Sequence, residues 1–163
     1  MSLLNEKSVT KVRCALAAAG CEDTIIELDK SIRTAEEAAA ALGVEPGAVV
    51  QAQVFKIGKR FVIVFFAGDC ACVKESLPRA LNMEGEVIGA GAGEVRGATG
   101  FSVGGVAPTG LPFKLPMLID RSLKRFETLY VPAGHPHCVF ATTVADLKRL
   151  SGGVVSYNIA APL

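Results

Sequence analysis

The run Phe61-Val62-Ile63-Val64-Phe65-Phe66 constrains this chain more than any other stretch. Its six consecutive side chains are all β-branched or aromatic, which suits extended backbone. None is polar, so neither side of such a strand can face water. The run therefore predicts a central strand covered on both faces. A second apolar run over 49–57 precedes it across Gly58-Lys59, and two such runs around a tight glycine turn predict a hairpin over 49–67.

The rest of the chain supplies the cover. A helix is expected from Ser8, with Ser8 as its cap, Val9, Val12, Leu16 and Ala19 on one face, and Gly20 as its stop. A short strand follows over 25–28. Thr34-Ala35-Glu36-Glu37 reads as a capping box, opening a helix whose Ala35, Ala38, Ala39 and Leu42 share a face until Gly43 ends it. Further on, the pattern predicts a short helix over 73–81 with Pro78 in its first turn, a weak strand over 86–88 and a helical turn over 94–99. A strand follows over 117–119, with Asp120 capping a short helix through Lys124. Strands over 128–131 and 139–141 flank a turn at 133–137. Thr143 to Leu150 reads as a last helix stopped by Gly152-Gly153, before a strand over 154–157. Several strands are joined by tight turns. The expectation is one α/β domain over 1–163, with a mixed, largely antiparallel sheet and flanking helices.

Composition excludes several classes. Half of the 163 residues are apolar and 20% are charged, far from a disordered composition. The net charge of +1 gives no global field, so any RNA contact has to be local. The first residues lack an apolar core of leader length, and the longest apolar run, over 61–68, is far short of a membrane span. With an odd count of five cysteines, this reads as a cytoplasmic protein with reduced thiols and no membrane partner.

Chemistry is sought first in the loop over 99–110, which has four glycines, one proline and no charge. Such a loop brings backbone N–H groups close to a ligand while side chains stay out of the way. Read alone it is also an ordinary turn. Cys70-Ala71-Cys72 and His135-Pro136-His137-Cys138 are spaced more loosely than a zinc site, so no metal and no cofactor is expected. Cys138 adjoins His137, but strand neighbours point to opposite faces, which argues against a cysteine–histidine pair. There is no nucleophile elbow, no P-loop and no Rossmann spacing. The two histidines read alone as turn residues with satisfied ring nitrogens.

Taken together, several blocks carry a resemblance. Thr34 to Gly43, Ala67-Gly68-Asp69, Thr99 to Pro108, Leu118-Ile119-Asp120 and the tail from Ala133-Gly134-His135-Pro136-His137 to Leu150 resemble the YbaK/EbsC family of aminoacyl-tRNA deacylases. The similarity covers about residues 8 to 160, and the order and spacing of the blocks make it specific. The family also occurs as an editing domain within or beside prolyl-tRNA synthetases, and a chain of this length resembles the free-standing kind. The resemblance implies a deacylase hydrolysing the ester that joins a wrong, small amino acid to the 3′ end of a tRNA. It implies misacylated tRNA as partner, an aminoacyl-tRNA synthetase beside it, and no DNA.

The family's Gly-x-x-x-Pro motif matches Gly104 to Pro108, which makes the backbone at Gly104 and Gly105 the candidate oxyanion donors. The family's lysine position holds Gln51, a departure, since an amide hydrogen-bonds but carries no charge. Lys56, five residues on, faces the opposite side of a regular strand. His137 and His135 are candidates to orient substrate or a water. Val106, Ala107 and Phe65 are candidates for the amino-acid pocket, with ordinary core as their plainer reading. Pro108, Thr109 and Gly110 complete the substrate-binding set. The rival reading, motivated by Gln51, is a non-catalytic module that holds tRNA 3′ ends or aminoacyl groups.

Overall fold

In the computed structural model, which describes residues 2–32 and 34–163, the elements follow in the order α1 (Lys7–Ala18), β1 (Ile26–Glu27), α2 (Ala35–Leu42), β2 (Val50–Ile57), β3 (Arg60–Ala67), β4 (Cys70–Cys72), α3 (Leu77–Leu81), β5 (Val87–Gly89), α4 (Ala92–Thr99), β6 (Met117–Asp120), β7 (Leu129–His135), β8 (Cys138–Thr142), α5 (Val144–Ser151), β9 (Val154–Ser156) and β10 (Ala160–Pro162). The strands form three sheets, ordered β5-β2-β3-β6-β9, β1-β8-β7 and β10-β4. Pairing is antiparallel except where β6 runs parallel to β3 and to β9. Among the described residues, one isolated parallel bridge, Val49 to Tyr130, ties the larger two sheets together.

β3 sits in the middle of the five strands, and Val62 through Phe65 are fully buried. The unbroken apolar run thus ends up covered on both faces. Its hairpin partner β2 pairs from Val50 with Ala67 to Ile57 with Arg60, turning at Gly58-Lys59. Gln51 lies opposite Phe66 in that register. Lys56 lies within reach of Glu94 of α4, at 3.7 Å, away from Gln51 as strand alternation requires.

Two helix starts differ from expectation. Ser8 lies inside α1 and caps nothing, because Glu6 holds the N-cap position. The chain arrives there through a 3₁₀ turn at Leu3–Asn5, whose own cap is the Ser2 hydroxyl accepting from the Leu4 N–H at 3.2 Å. Thr34 stands at the N-cap of α2, yet its hydroxyl makes no cap bond. The helix is started instead by the Thr34 carbonyl, which accepts from the Ala38 N–H, and by Glu36 and Glu37 beside the positive helix end. The mixed, largely antiparallel α/β arrangement is as expected, distributed over three sheets, while β4 and β10 were not foreseen.

Packing places α1 on β7. A second, smaller core gathers Leu28, Ile32, Ala38, Ala39, Val49 and Val139 under α2. That cluster holds the connection between β1 and α2 against the two larger sheets, and this connection leads to the site.

Candidate active site

The Gly-rich loop leaves α4 with a firm anchor. Buried Thr99 donates its hydroxyl proton to the Val95 carbonyl at 2.7 Å and accepts from the Phe101 N–H at 3.0 Å, while Phe101 is sunk in the core. A turn follows in which the Gly105 N–H donates to the Ser102 carbonyl at 2.9 Å. Gly104, third in that turn, has φ +88°, the value a type II turn needs at this place and one that favours glycine. The N–H of Gly105 is therefore already used. Among the described residues, no backbone oxygen takes the N–H of Gly104. Of the two expected oxyanion donors, only Gly104 remains available.

Gly105 has a different role. A Cβ built on it would lie 2.9 Å from the Cα and N of His135 and 3.0 Å from its carbonyl carbon. Only glycine lets the loop rest directly on the main chain of the histidine turn. That turn carries a bulge: the β7–β8 register shifts between Pro132 and His135. Bulges bend a strand and re-aim the side chains beyond them. Here the residues beyond the bulge are His135 and, across the turn, His137.

The segment before α2 joins this turn to Gln51. Leu28 donates its N–H to the His137 carbonyl, and Ile32 donates to the Pro136 carbonyl, both at 2.6 Å. The carbonyl of Ile32 in turn accepts from Gln51 Nε2 at 2.8 Å. Gln51, the histidine turn and the Gly-rich loop therefore form one continuous set of contacts. None of these links could be read from spacing, because each is made between distant parts of the chain.

The imidazoles are set by their neighbours. His137 Nδ1 lies 2.9 Å from the Leu28 carbonyl, which can only accept. Nδ1 of His137 must therefore carry a proton, and in the neutral ring Nε2 keeps its lone pair. His135 Nδ1 accepts the His137 main-chain N–H at 3.0 Å, so the neutral His135 ring is protonated on Nε2. The ring centroids are 5.7 Å apart. Burial, and secondarily the neighbouring His137, push His135 below the usual histidine value and keep it neutral at pH 7.

The remaining candidates divide. Gln51 borders a hollow of about 450 Å³ together with Thr34, Gln53, Phe66, Cys72 and Leu163. Pro108, Thr109 and Gly110 border a separate groove of about 400 Å³ beside the end of α5. Val106, Ala107 and Phe65 are at most 1% exposed, belong to the main core and line neither space.

Thiol and zinc chemistry find little support. Burial pushes Cys138 up to about 11 and Cys72 up to about 12, so both stay protonated near neutrality. Among the described residues, no three His, Cys, Asp or Glu side chains gather as a metal site.

The family described as "Aminoacyl-tRNA editing domain" matches residues 29–150. The chain belongs to the aminoacyl-tRNA editing domain family. The uncharacterized protein YwhH of Bacillus subtilis is 26% identical over 145 residues, covering 88% of this chain and 91% of that protein. A proline–tRNA ligase of Bacillus licheniformis is 34% identical over 95 residues, 58% of this chain but 16% of the ligase. A solved structure put forward as a trans-editing enzyme for prolyl tRNA synthetase superposes with TM-score 0.85 at 32% identity, covering 93% of this chain and 96% of that one. The hypothetical protein APE2540 superposes with TM-score 0.82 at 28% identity, covering 93% and 99%. The match with the editing-domain family spans the Gln51 strand, the Gly-rich loop and the histidine turn. No helix among the described residues is long and apolar enough to cross a membrane.

Proposed function

We propose that this protein is a trans-editing hydrolase that removes a small, wrongly attached amino acid from the 3′ end of a tRNA. The observation that carries the reading is the junction itself: the Gly-rich loop seated on His135, with Gln51 tied to the same turn through Ile32. Water adds to the acyl carbon and the ester bond to the ribose breaks. The proton lost by the water ends on the ribose oxygen. In the tetrahedral stage the former carbonyl oxygen is an anion. The Gly104 N–H is the donor assigned to it, and one such donor supplies about 3–4 kcal/mol in other hydrolases. The lone pair on His137 Nε2 orients the water, or the neighbouring 2′-hydroxyl that relays its proton. No protein nucleophile is required. Small amino acids suit a separate editing step, because one methylene more or less changes binding by only ~1–3 kcal/mol in the synthetase.

A second reading is favoured by one observation. The Gln51 donor is held by Ile32 and carries no charge, so the site resembles a holder of aminoacyl ends more than a charged catalyst. Purified protein mixed in turn with tRNA bearing Ala, Ser, Cys or Thr separates the two. Accelerated release of at least one amino acid supports hydrolysis. Measurable binding with no release of any supports the holder.

A further inference from the structure

The groove bordered by Thr109 and Gly110 lies at the exit of the Gly-rich loop and has no role in the chemistry above. Its outer wall is Leu111-Pro112-Phe113-Lys114-Leu115, a segment that ends at Pro116 and carries Phe113 at 63% exposure. A single exposed aromatic is ordinary on a protein surface, so what sets Phe113 apart is its support and the charge beside it. Both ends of the segment are fixed. Pro112 packs on Gly100, and the Pro116 carbonyl accepts from the Ile63 N–H of the central strand at 3.0 Å. At the head of the segment, Gly110 lies against the backbone of Lys11 in α1. Phe113 is thus held out on a braced support.

Charge singles this groove out. It is lined by Lys114 and Arg149 and by no carboxylate, whereas four other hollows each contain at least one Asp or Glu. Arg149 is engaged with Asp146 and with the Ala19 carbonyl. Lys114 has no carboxylate partner among the described residues. An exposed aromatic face beside an uncompensated lysine is the arrangement that binds single-stranded nucleic acid, with a base on the ring and a phosphate near the cation. The near-zero net charge fits stacking, rather than a polybasic surface, as the main source of grip.

We propose that this groove holds the unpaired nucleotides preceding the acylated one, with a base stacked on Phe113 and a phosphate at Lys114. The proposal rests on the editing reading above. From Gly105 to Gly110 the chain can span at most about 18 Å, which puts the groove within reach of a short single strand whose end lies at the Gly-rich loop.

The test measures the affinity of deacylated tRNA, with its 3′ single strand intact or trimmed away, for the wild type, Phe113→Ala, Phe113→Trp and Lys114→Ala. Phe113→Ala is expected to weaken binding of intact tRNA about tenfold, Phe113→Trp to retain it, and the trimmed tRNA to bind all four proteins alike. Lys114→Ala is expected to reduce the salt dependence by about one phosphate contact. Intact tRNA binding equally to Phe113→Ala and wild type would overturn the proposal. So would unchanged RNA affinity with loss of capture of a synthetase, which would make the patch a protein contact. Deacylation that persists while Phe113 proves irrelevant sinks this inference alone. Phe113-dependent binding without any deacylation sinks the hydrolase reading alone.

Discussion

Substituting alanine for Gly105 tests whether the seating of the loop on the histidine turn matters to the chemistry. The added Cβ would meet the His135 Cα and N at 2.9 Å, where ordinary carbon contacts begin near ~3.5 Å. All three nearest atoms are backbone, so no side chain can swing away. Loop and turn must separate by about 0.6–1 Å. Overpacking of this kind costs about 1–3 kcal/mol of stability. A displacement of that size between the Gly104 donor and the water-orienting His137 is expected to lower the rate about a hundredfold. The assay is single-turnover deacylation, read beside a urea unfolding curve. Gly97→Ala is the control: a Cβ there meets nothing within 4 Å, and alanine suits the helix interior. A Gly105→Ala protein that is destabilised as expected yet deacylates within twofold of wild type would show that the seating of the loop on the histidine turn does not matter to the chemistry.

Other outcomes follow from the same geometry. Gln51→Lys replaces an amide held by the Ile32 carbonyl with an ammonium able to reach the anion of the tetrahedral stage, and a charged donor there exceeds a neutral one by about 1.4 kcal/mol, so the rate should rise about tenfold; an unchanged rate would remove position 51 from the chemistry. Because His135 titrates below its ordinary value of 6.5 when folded, the unfolded chain binds more protons between the two values. Stability should therefore be fully present above about pH 6.5 and decline as the pH falls below it, and His135→Gln should flatten that slope in a pH series of unfolding curves. With its thiol raised to about 11, Cys138 should resist iodoacetamide at pH 8 while exposed Cys14 reacts, and Cys138→Ala should keep its deacylation rate. Loss of activity on that substitution, in a protein still folded, would restore the thiol as a participant.

The parts of the fold that were legible in the sequence are those set by local rules. The hairpin of β2 and β3 follows from two apolar runs and a glycine turn, and α2 from its acidic first turn and Gly43. β10 was missed because Ala160-Ala161-Pro162 has no strand propensity; it forms because the β4 edge at Cys70–Cys72 is there to pair with it. The Asp69–Arg125 ion pair, bidentate at 2.7 and 3.0 Å, was likewise hidden, since 56 residues separate its partners. Both belong to long-range packing. At the site, the Gly-rich loop, Gln51 and the histidines were legible as candidates. Their junction was not, because Ile32, which links them, is an unremarkable apolar residue in a loop. The distinction between Gly104 and Gly105 also needed the turn geometry, as the sequence gives both the same freedom.

The proposed chemistry requires that the main chain at Gly104 meets the acylated end of an RNA. Its most direct measurement is an amide-proton NMR titration with a short RNA whose 3′ end carries alanine through a non-hydrolysable amide link. A large downfield shift is expected at the Gly104 N–H as it gains an acceptor, with little change at Gly105, whose proton already belongs to Ser102. Saturable binding that leaves Gly104 unmoved would contradict it.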